Sequence, residues 1–256
     1  MSSLFQAFQE VILPREKPDI VEWLERNRTL TGAHSGPWRR DWCKWSLEIM
    51  RAAVDRTTRV IIVRGGSQCA KTESVILNVW AFRTVDDPRP TLMVLPTQLM
   101  ARDFSHQRIG PLIDSCPALA AVVNARGQGR HVRDASTLSF RTYAGGFLKL
   151  TGTLSASELS QVAARDVFAT ELDRFSVETE NGEGSPIHLM KLRQRTFEHT
   201  SKLIMECSPT IQEESRIQIE YLAGSQEHYF LPVRSAASNR NCSSLALTGR
   251  ARFIDA

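Results

Sequence analysis

The chain has 256 residues, of which 42% are hydrophobic and 23% charged, and its formal net charge is +4 at pH 7. These values exclude an extensively disordered chain, leave room for one large domain with a substantial core, and permit a polyanionic partner without requiring one. The 5 cysteines include no C-x-x-C pair, and no apolar run approaches the roughly 18 residues of a membrane span, so we expect reduced thiols in a soluble cytoplasmic protein.

Helical spacing dominates the first part of the chain. The pattern over residues 19–25 predicts an amphipathic helix, and a stretch that contains glycine and proline ends it. We therefore interpret residues 1–35 as a helical lead-in to a main domain that covers 36–232. A second helix is predicted from about Arg40 to Val54.

The most informative stretch begins with the β-branched run Val60-Ile61-Ile62-Val63, which predicts a strand buried on both faces. Small and polar residues follow, and then a helical pattern, so the chain is predicted to turn tightly from strand into helix. Such a turn directs backbone N–H groups and the positive end of the helix dipole at an anion. Lys71 would then reach the terminal phosphates of a nucleotide and Thr72 would supply a hydroxyl to Mg²⁺, as in the G-x-x-x-x-G-K-[ST] motif.

The predicted nucleotide loop departs from that motif at one position, since Ala70 stands where the second glycine is usual. The alternative interpretation is an ordinary strand–turn–helix corner with an exposed lysine. The residues predicted to bind nucleotide are Gly65, Gly66, Ser67, Gln68, Cys69, Ala70, Lys71 and Thr72.

Strand and helix patterns alternate through the rest of the main domain. The predicted strands are 91–95, 167–169 and 203–205, a hairpin is predicted over 138–150, and further helices are predicted over 98–112 and 186–197. Strands separated by helices favour right-handed βαβ units. The predicted fold class is therefore α/β: a P-loop NTPase three-layer sandwich with a mainly parallel, mixed central sheet and an N-terminal helical lead-in.

A second group of residues suited to nucleotide chemistry follows the predicted strand 167–169. Glu171 lies where a general base or a water-orienting carboxylate is expected, and Asp173 follows in the turn as a candidate ligand of Mg²⁺. Thr170 occupies the position at which P-loop enzymes usually carry the aspartate of the magnesium shell. A buried strand followed by a solvated acidic turn is the alternative interpretation.

Hydroxyl residues end the next predicted strand. Ser208 and Thr210 are placed to sense the γ-phosphate and pass its presence onward. An ordinary Ser-Pro-Thr turn is the alternative.

Basic residues supply candidates for DNA contact and for an arginine finger. A glycine-containing loop carries Arg126, Arg130 and Arg133, which are predicted to follow a DNA backbone without reading bases. A solvated loop is the alternative for these three residues.

The candidate arginine fingers are Arg64, Arg193 and Arg195. For Arg193 and Arg195, favourable charges at a helix C-terminus are the alternative.

Taken in order, these motifs resemble the ATPase part of the large terminase subunit of tailed phages, of the lambda GpA type. The resemblance covers residues 15–232. It rests on Val21–Trp23, Gly36–Arg39, Gln68–Glu73, Leu95–Thr97, Ala101–Ser105, Arg108–Ile113, Thr170–Phe175, Cys207–Thr210 and Ser215–Ile217.

The resemblance implies a motor that couples ATP hydrolysis, with Mg²⁺, to packaging of double-stranded DNA into a procapsid in the host bacterial cytoplasm. It implies phosphate contact for Lys71, metal contact for Thr72, catalysis for Glu171, and coupling for Ser208 and Thr210. The implied partners are double-stranded DNA, a small terminase subunit, a portal protein and further copies of the chain, and no membrane is implied.

The chain departs from the family pattern in three places. Ala70 and Thr170 replace a usual glycine and a usual aspartate. These two changes keep open the alternative of a catalytically impaired or vestigial prophage module that binds nucleotide and docks partners without turnover. The family usually continues into a Cys-Pro-x-Cys-Gly stretch and a nuclease, which residues 233–256 do not match. We therefore expect an unstructured or frameshifted tail, a missing nuclease domain and no nuclease activity.

Overall fold

The computed structural model describes residues 18–32, 35–124, 138–180, 182, 184–211, 214–229 and 249–251. Its strands are β1 (Thr29–Leu30), β2 (Gly36–Pro37), β3 (Val60–Arg64), β4 (Thr91–Leu95), β5 (Phe140–Tyr143), β6 (Gly146–Gly152), β7 (Asp166–Thr170), β8 (Lys202–Cys207) and β9 (Gly249–Ala251). Its helices are α1 (Ile20–Asn27), α2 (Leu47–Val54), α3 (Asn78–Asp86), α4 (Gln98–Phe104), α5 (Gly110–Ser115), α6 (Pro117–Asn124), α7 (Ala156–Ser160), α8 (Pro186–Arg193) and α9 (Arg216–Leu222). The π-helical segments Thr72–Leu77 and Ser105–Ile109 lead into α3 and α5.

Within the described residues the central sheet has 7 strands, in the order β5-β6-β4-β7-β8-β3-β9. The strands from β6 to β3 in this order are parallel to one another. The edge strands β5 and β9 pair antiparallel with their neighbours. The prediction of a mainly parallel, mixed sheet is therefore confirmed.

Side chains of the central strands alternate between two apolar layers, as expected for strands buried on both faces. In β3, Ile61 and Val63 join the layer that contains α1 and α3, whereas Val60 and Ile62 join the layer that contains α7, α8 and α9. Helices therefore cover both faces of the sheet, which is the predicted three-layer sandwich.

The predicted N-terminal helix packs into the first of these layers. Asp19 caps α1 by accepting hydrogen bonds from the backbone N–H groups of Val21 and Glu22. The Trp23 ring meets the Phe82 ring of α3 edge to face, with the ring centroids 5.5 Å apart. The described part of the lead-in therefore shares its core with the sheet, instead of standing apart from it.

The second helix begins later than the sequence predicts. We expected it from about Arg40, but 3₁₀ turns precede α2, which starts at Leu47. Cys43 separates the two turns, because its φ of −146° and ψ of 60° fit no helix. The Ser46 hydroxyl donates a hydrogen bond of 2.8 Å to the Cys43 carbonyl, so this carbonyl is satisfied without forming an α-helical hydrogen bond.

Some of the predictions fall on parts of the chain that the structure does not describe. The basic loop with Arg126, Arg130 and Arg133 lies outside the described residues, so its DNA contact stays a prediction. In the predicted tail 233–256, Gly249–Ala251 pair with β3, and the other residues lie outside the described part. Along the described ranges, no helix has the length and apolar character needed to cross a bilayer.

Candidate functional site

The predicted nucleotide loop follows β3 and lies at the edge of the sheet that is formed by the carboxyl ends of the parallel strands. Lys71, only 7% exposed, folds back over this loop. Its Nζ donates hydrogen bonds to the Gly66 carbonyl at 2.7 Å and to the Ser208 hydroxyl at 2.9 Å. Because Ser208 follows β8, the neighbour of β3, two residues that lie 137 positions apart meet at this edge.

Two residues of the loop have a left-handed backbone. The φ angle is 57° at Gln68 and 60° at Ala70. For a residue with a Cβ this conformation costs about 1–2 kcal/mol. Ala70 therefore adopts the conformation that suits a glycine, and the departure from the motif carries a steric cost. Gly66 and Ser67 are exposed, so this face of the loop is open to a ligand.

A carboxylate that the sequence analysis left without a role lies beside the loop. Glu206 is in β8 and is 1% exposed. One of its oxygens, Oε1, accepts hydrogen bonds from the Thr72 hydroxyl at 2.8 Å and from the Thr170 hydroxyl. Its other oxygen, Oε2, is buried without a hydrogen-bond partner within the described part of the chain. The available signal was one acidic residue inside the otherwise apolar stretch 203–207.

The surroundings of Glu206 act on its charge in opposite directions. Burial raises the pKa of Glu206 above its ordinary value. Hydrogen bonds from Thr170 and Thr72, and the positive charge of Lys71, act in the opposite sense. The carboxylate therefore lies where additional positive charge would stabilise its ionised form.

Glu171, the predicted general base, follows β7 directly. Its backbone is left-handed, with φ 60° and ψ 46°. Its side chain is 38% exposed and pairs with Arg174 at 3.4 Å. Since Glu171 is next to Thr170, which contacts Glu206, it lies at the same edge of the sheet as the nucleotide loop.

Asp173, the predicted magnesium ligand, is held by the segment after β8. Its Oδ2 accepts from the backbone N–H of Thr210 at 2.9 Å and from the Thr210 hydroxyl at 3.2 Å, and its Oδ1 accepts from the backbone N–H of Ile217 at 2.9 Å. Burial opposes the ionisation of Asp173, but these hydrogen bonds outweigh it and lower its pKa. Asp173 therefore joins the turn after β7 to the segment that carries Ser208 and Thr210. The carboxylate that contacts Thr72 belongs to Glu206 and not to Asp173.

A cleft of about 660 Å³ opens beside the loop. Its volume falls in the usual range for a nucleotide-sized ligand. Trp38 is 2% exposed and mainly packs in the core, whereas Trp42 is 47% exposed at the same cleft. The lining residues are Leu30, Thr31, Trp38, Trp42, Cys43, Gln68, Ala70, Glu73, Ser74 and Arg108.

The arginine-finger candidate nearest to the loop is Arg64, at the end of β3. Its guanidinium carbon lies 4.3 Å from the centre of the Tyr221 ring, and its Nη1 bonds the Gln218 side chain. Both partners belong to α9. Arg64 is therefore engaged within its own chain.

The other two finger candidates lie at or beyond the end of α8 and away from the loop. Arg193 donates to the Ser160 carbonyl at 2.9 Å. Arg195 is exposed and lines a cleft with Arg59, the residue before β3. Because the nucleotide loop follows the other end of β3, Arg195 lies at the opposite edge of the sheet.

Comparison with known families gives one match over most of the chain. Residues 32–238 match the model of the family described as "Phage terminase large subunit gpA, ATPase domain". The matched range includes the nucleotide loop, Glu171, Glu206 and Ser208. No curated protein matches the sequence of this chain.

Solved structures of large terminases have a similar fold. The HK97 bacteriophage large terminase superposes with a TM-score of 0.56 at 12% identity, over 80% of this chain and 40% of that one. The large terminase of a thermophilic bacteriophage, in complex with ADP, gives 0.46 at 16% identity, over 70% and 42% of the two chains. The ATPase domain of the Thermus phage P74-26 large terminase gives 0.45 at 14% identity, over 71% of each chain. The chain thus spans less than half the length of the first two of these proteins.

Proposed function

We propose that this chain, which belongs to the family of the ATPase domain of the phage terminase large subunit gpA, hydrolyses ATP to drive double-stranded DNA into a procapsid. The observation that carries the proposal is the contact of the nucleotide loop with the end of β8, through Lys71 with Ser208 and Thr72 with Glu206. A triphosphate held by the loop would therefore lie within reach of side chains from the end of β8 and, because Thr170 contacts Glu206, near the end of β7.

The loop residues, Lys71 and Glu171 each have a role in the proposed reaction. Backbone N–H groups of residues 66–70 hold the phosphates, since that of Gly65 donates to the Cys207 carbonyl at 3.3 Å. Lys71 turns from the Gly66 carbonyl towards the phosphates. Glu171 orients the attacking water and accepts its proton. The left-handed backbone of Glu171 supports this role, since strained residues concentrate at functional sites.

The surroundings of Thr72 fit a magnesium ion. The Thr72 hydroxyl donates a hydrogen bond to Glu206, so the lone pairs of the Thr72 oxygen remain available to a cation. The other carboxylate oxygen of Glu206, Oε2, is buried there without a hydrogen-bond partner among the described residues. Mg²⁺ typically takes one or two protein oxygens together with waters and substrate phosphates, so the site needs no larger set of protein ligands. When bound, the ion would neutralise charge on the β- and γ-phosphates.

The partners of the proposed motor follow from its family. The chain spans 40% of the length of the HK97 protein, so the activity and partners of a whole terminase are proposals for this chain. We propose double-stranded DNA, a small terminase subunit, a portal protein and neighbouring copies of the chain as its partners. In such a ring Arg195, which is exposed, suits an arginine finger for a neighbour better than Arg64, which α9 holds.

Steady-state phosphate release, measured with and without duplex DNA, tests the proposal. We expect turnover that duplex DNA increases, and loss of ATP binding or turnover in Lys71→Ala. Glu171→Gln is expected to bind ADP with an affinity close to that of the parent chain and to lose about 10²–10⁴-fold in hydrolysis. The matched control is Glu214→Gln, which makes the same change at an exposed glutamate that has no role in the proposed reaction.

A second candidate is a nucleotide-binding module that docks its partners without turnover. The steric cost at Ala70 and the hydroxyl of Thr170 in place of a carboxylate favour it. This candidate predicts ATP binding without phosphate release, and no difference in phosphate release between the parent chain and Glu171→Gln.

A further inference from the structure

The buried carboxylate of Glu206 contacts Thr72 and Thr170, two positions that would hold a magnesium ion in a P-loop enzyme. P-loop enzymes hold the ion with the hydroxyl that follows the loop lysine and with an aspartate from another strand. Thr72 supplies that hydroxyl here, but Thr170 stands at the position of the aspartate and brings no charge.

The strand order explains how Glu206 reaches both residues. β8 lies between β3 and β7. In the register of the sheet, Glu206 is opposite Val63 on one side and Thr170 on the other. A side chain at this position can therefore contact the loop that follows β3 and the end of β7 at once.

The hydrogen bonds around Glu206 leave one position for a cation. Thr72 and Thr170 both donate to Oε1, which leaves Oε2 buried without a hydrogen-bond partner among the described residues. An unpaired buried carboxylate oxygen is costly unless a positive charge or a donor compensates it. The bond that Thr72 donates orients its hydroxyl so that the oxygen lone pairs face away from the carboxylate.

The acidic residues Glu171 and Asp173, in the turn after β7, are engaged elsewhere. Both oxygens of Asp173 accept hydrogen bonds from the segment after β8 and the start of α9. Glu171 is partly exposed and pairs with Arg174.

We infer that Glu206 supplies the carboxylate of the magnesium shell, so that this charge comes from β8 in place of the end of β7. Thr170 then donates a hydrogen bond to Glu206, while Thr72 donates to the same oxygen and also holds the carboxylate. The inference rests on the proposed nucleotide site, and it makes Thr170 compatible with metal-dependent chemistry.

Calorimetry of ADP binding, with Mg²⁺ and with EDTA in its place, tests this inference apart from turnover. In the parent chain we expect Mg²⁺ to increase the affinity for ADP. Glu206→Gln keeps the shape of the side chain and the acceptor for Thr72 but removes the charge. The gain from Mg²⁺, meaning the increase in ADP affinity that Mg²⁺ produces over EDTA, should therefore fall by about 10–100-fold, while the ADP affinity in EDTA stays the same.

Two further variants separate the charge of Glu206 from its contacts. Thr170→Asp combined with Glu206→Gln returns the carboxylate to β7 and should restore part of the gain from Mg²⁺. Thr170→Val leaves the carboxylate of Glu206 in place and should keep most of the gain. Thermal melting of each variant establishes that it is folded.

Several results would overturn the inference. One is an unchanged gain from Mg²⁺ in Glu206→Gln, and another is an equal loss of ADP affinity with Mg²⁺ and with EDTA, which would indicate a structural role. A loss in Thr170→Val of the Mg²⁺-dependent increase in ADP affinity, as large as in Glu206→Gln, would assign the metal to Thr170. If Glu206→Gln does not fold, loss of that increase in folded Thr170→Val would by itself overturn the inference. A parent chain that binds no nucleotide under either condition would refute the proposed function itself.

Discussion

The Lys71 ammonium lies 2.9 Å from the Ser208 hydroxyl, which places the loop after β3 in direct contact with the segment after β8. The same segment is bonded to Asp173 through Thr210. A change at Lys71 can therefore reach the turn after β7 through the segment that holds both contacts. This arrangement gives the coupling prediction for Ser208 a physical route.

Replacing Ser208 with alanine tests that route. We expect Ser208→Ala to keep ATP affinity within a few-fold, because the loop N–H groups and Lys71, which hold the phosphates in the proposed site, are unchanged. The stimulation of phosphate release by duplex DNA should fall by about 10-fold, equivalent to the roughly 1.4 kcal/mol of one hydrogen bond to a charged group. Ser157→Ala is the matched control, because Ser157 bonds Ser155 instead of the loop. Unaltered stimulation in Ser208→Ala would contradict the coupling role.

Replacing Ala70 with glycine should stabilise the chain. Ala70 has a φ of 60°, and relief of about 1–2 kcal/mol of strain is partly offset by the larger conformational entropy that glycine loses on folding. We expect the free energy of unfolding to rise by up to about 1 kcal/mol. Ala121→Gly, an exposed site in α6, should lower it by about 1 kcal/mol. Urea denaturation measures both, and the same sign in the two variants would contradict the steric argument.

Asp173→Asn separates the structural role of Asp173 from metal binding. The carboxylate accepts bonds from Thr210 and Ile217, and an amide can accept on only one of its two terminal atoms. Without any metal, the variant should lose about 1–3 kcal/mol of unfolding free energy at pH 7. An unchanged stability in metal-free buffer would favour the magnesium role instead.

The pH dependence of the same variant follows from the sign of the pKa shift. The pKa of Asp173 is lower in the folded chain than in the unfolded chain. Its contribution to stability is therefore fully present above the unfolded pKa of about 3.9 and is lost as the pH falls through the folded value. The stability difference between the parent chain and Asp173→Asn should shrink in that acidic range.

Lys202 should make stability rise with pH in the alkaline range. Burial, and then the positive charge of Arg83, lower the pKa of Lys202 to about 8. Asp55 and Asp166 act in the opposite direction, and Arg165 lowers the pKa further. Between about pH 8 and 10.4 the unfolded chain holds a proton that the folded chain has released, so unfolding becomes more costly as the pH rises.

Comparison with Lys202→Met isolates this contribution. The unfolding free energy of the parent chain, relative to the variant, should increase between about pH 8 and 10 with a slope of at most about 1.4 kcal/mol per pH unit. Denaturation curves at a series of pH values measure it. A constant difference over this range would contradict a lowered pKa.

Local patterns were sufficient for the elements that carry the nucleotide loop. The β-branched run of β3 predicts a strand because those side chains suit a pleated surface buried on both faces. The predicted helix boundaries were less accurate. Helix α2 begins at Leu47 and not near Arg40, because the backbone of Cys43 interrupts the helical conformation between them. The motif also marks position 70 as a glycine position, and Ala70 has a positive φ there.

Sequence by itself determined the α/β class, the position of the nucleotide loop and the residues Lys71, Thr72 and Glu171 as candidates. Only the tertiary structure decided that Glu206 meets Thr72 and that Asp173 is held by Thr210 and Ile217. The reason is that strand order depends on how the crossovers pack, and no local pattern along the chain records it. Because β8 lies between β3 and β7, residues far apart in sequence form one site.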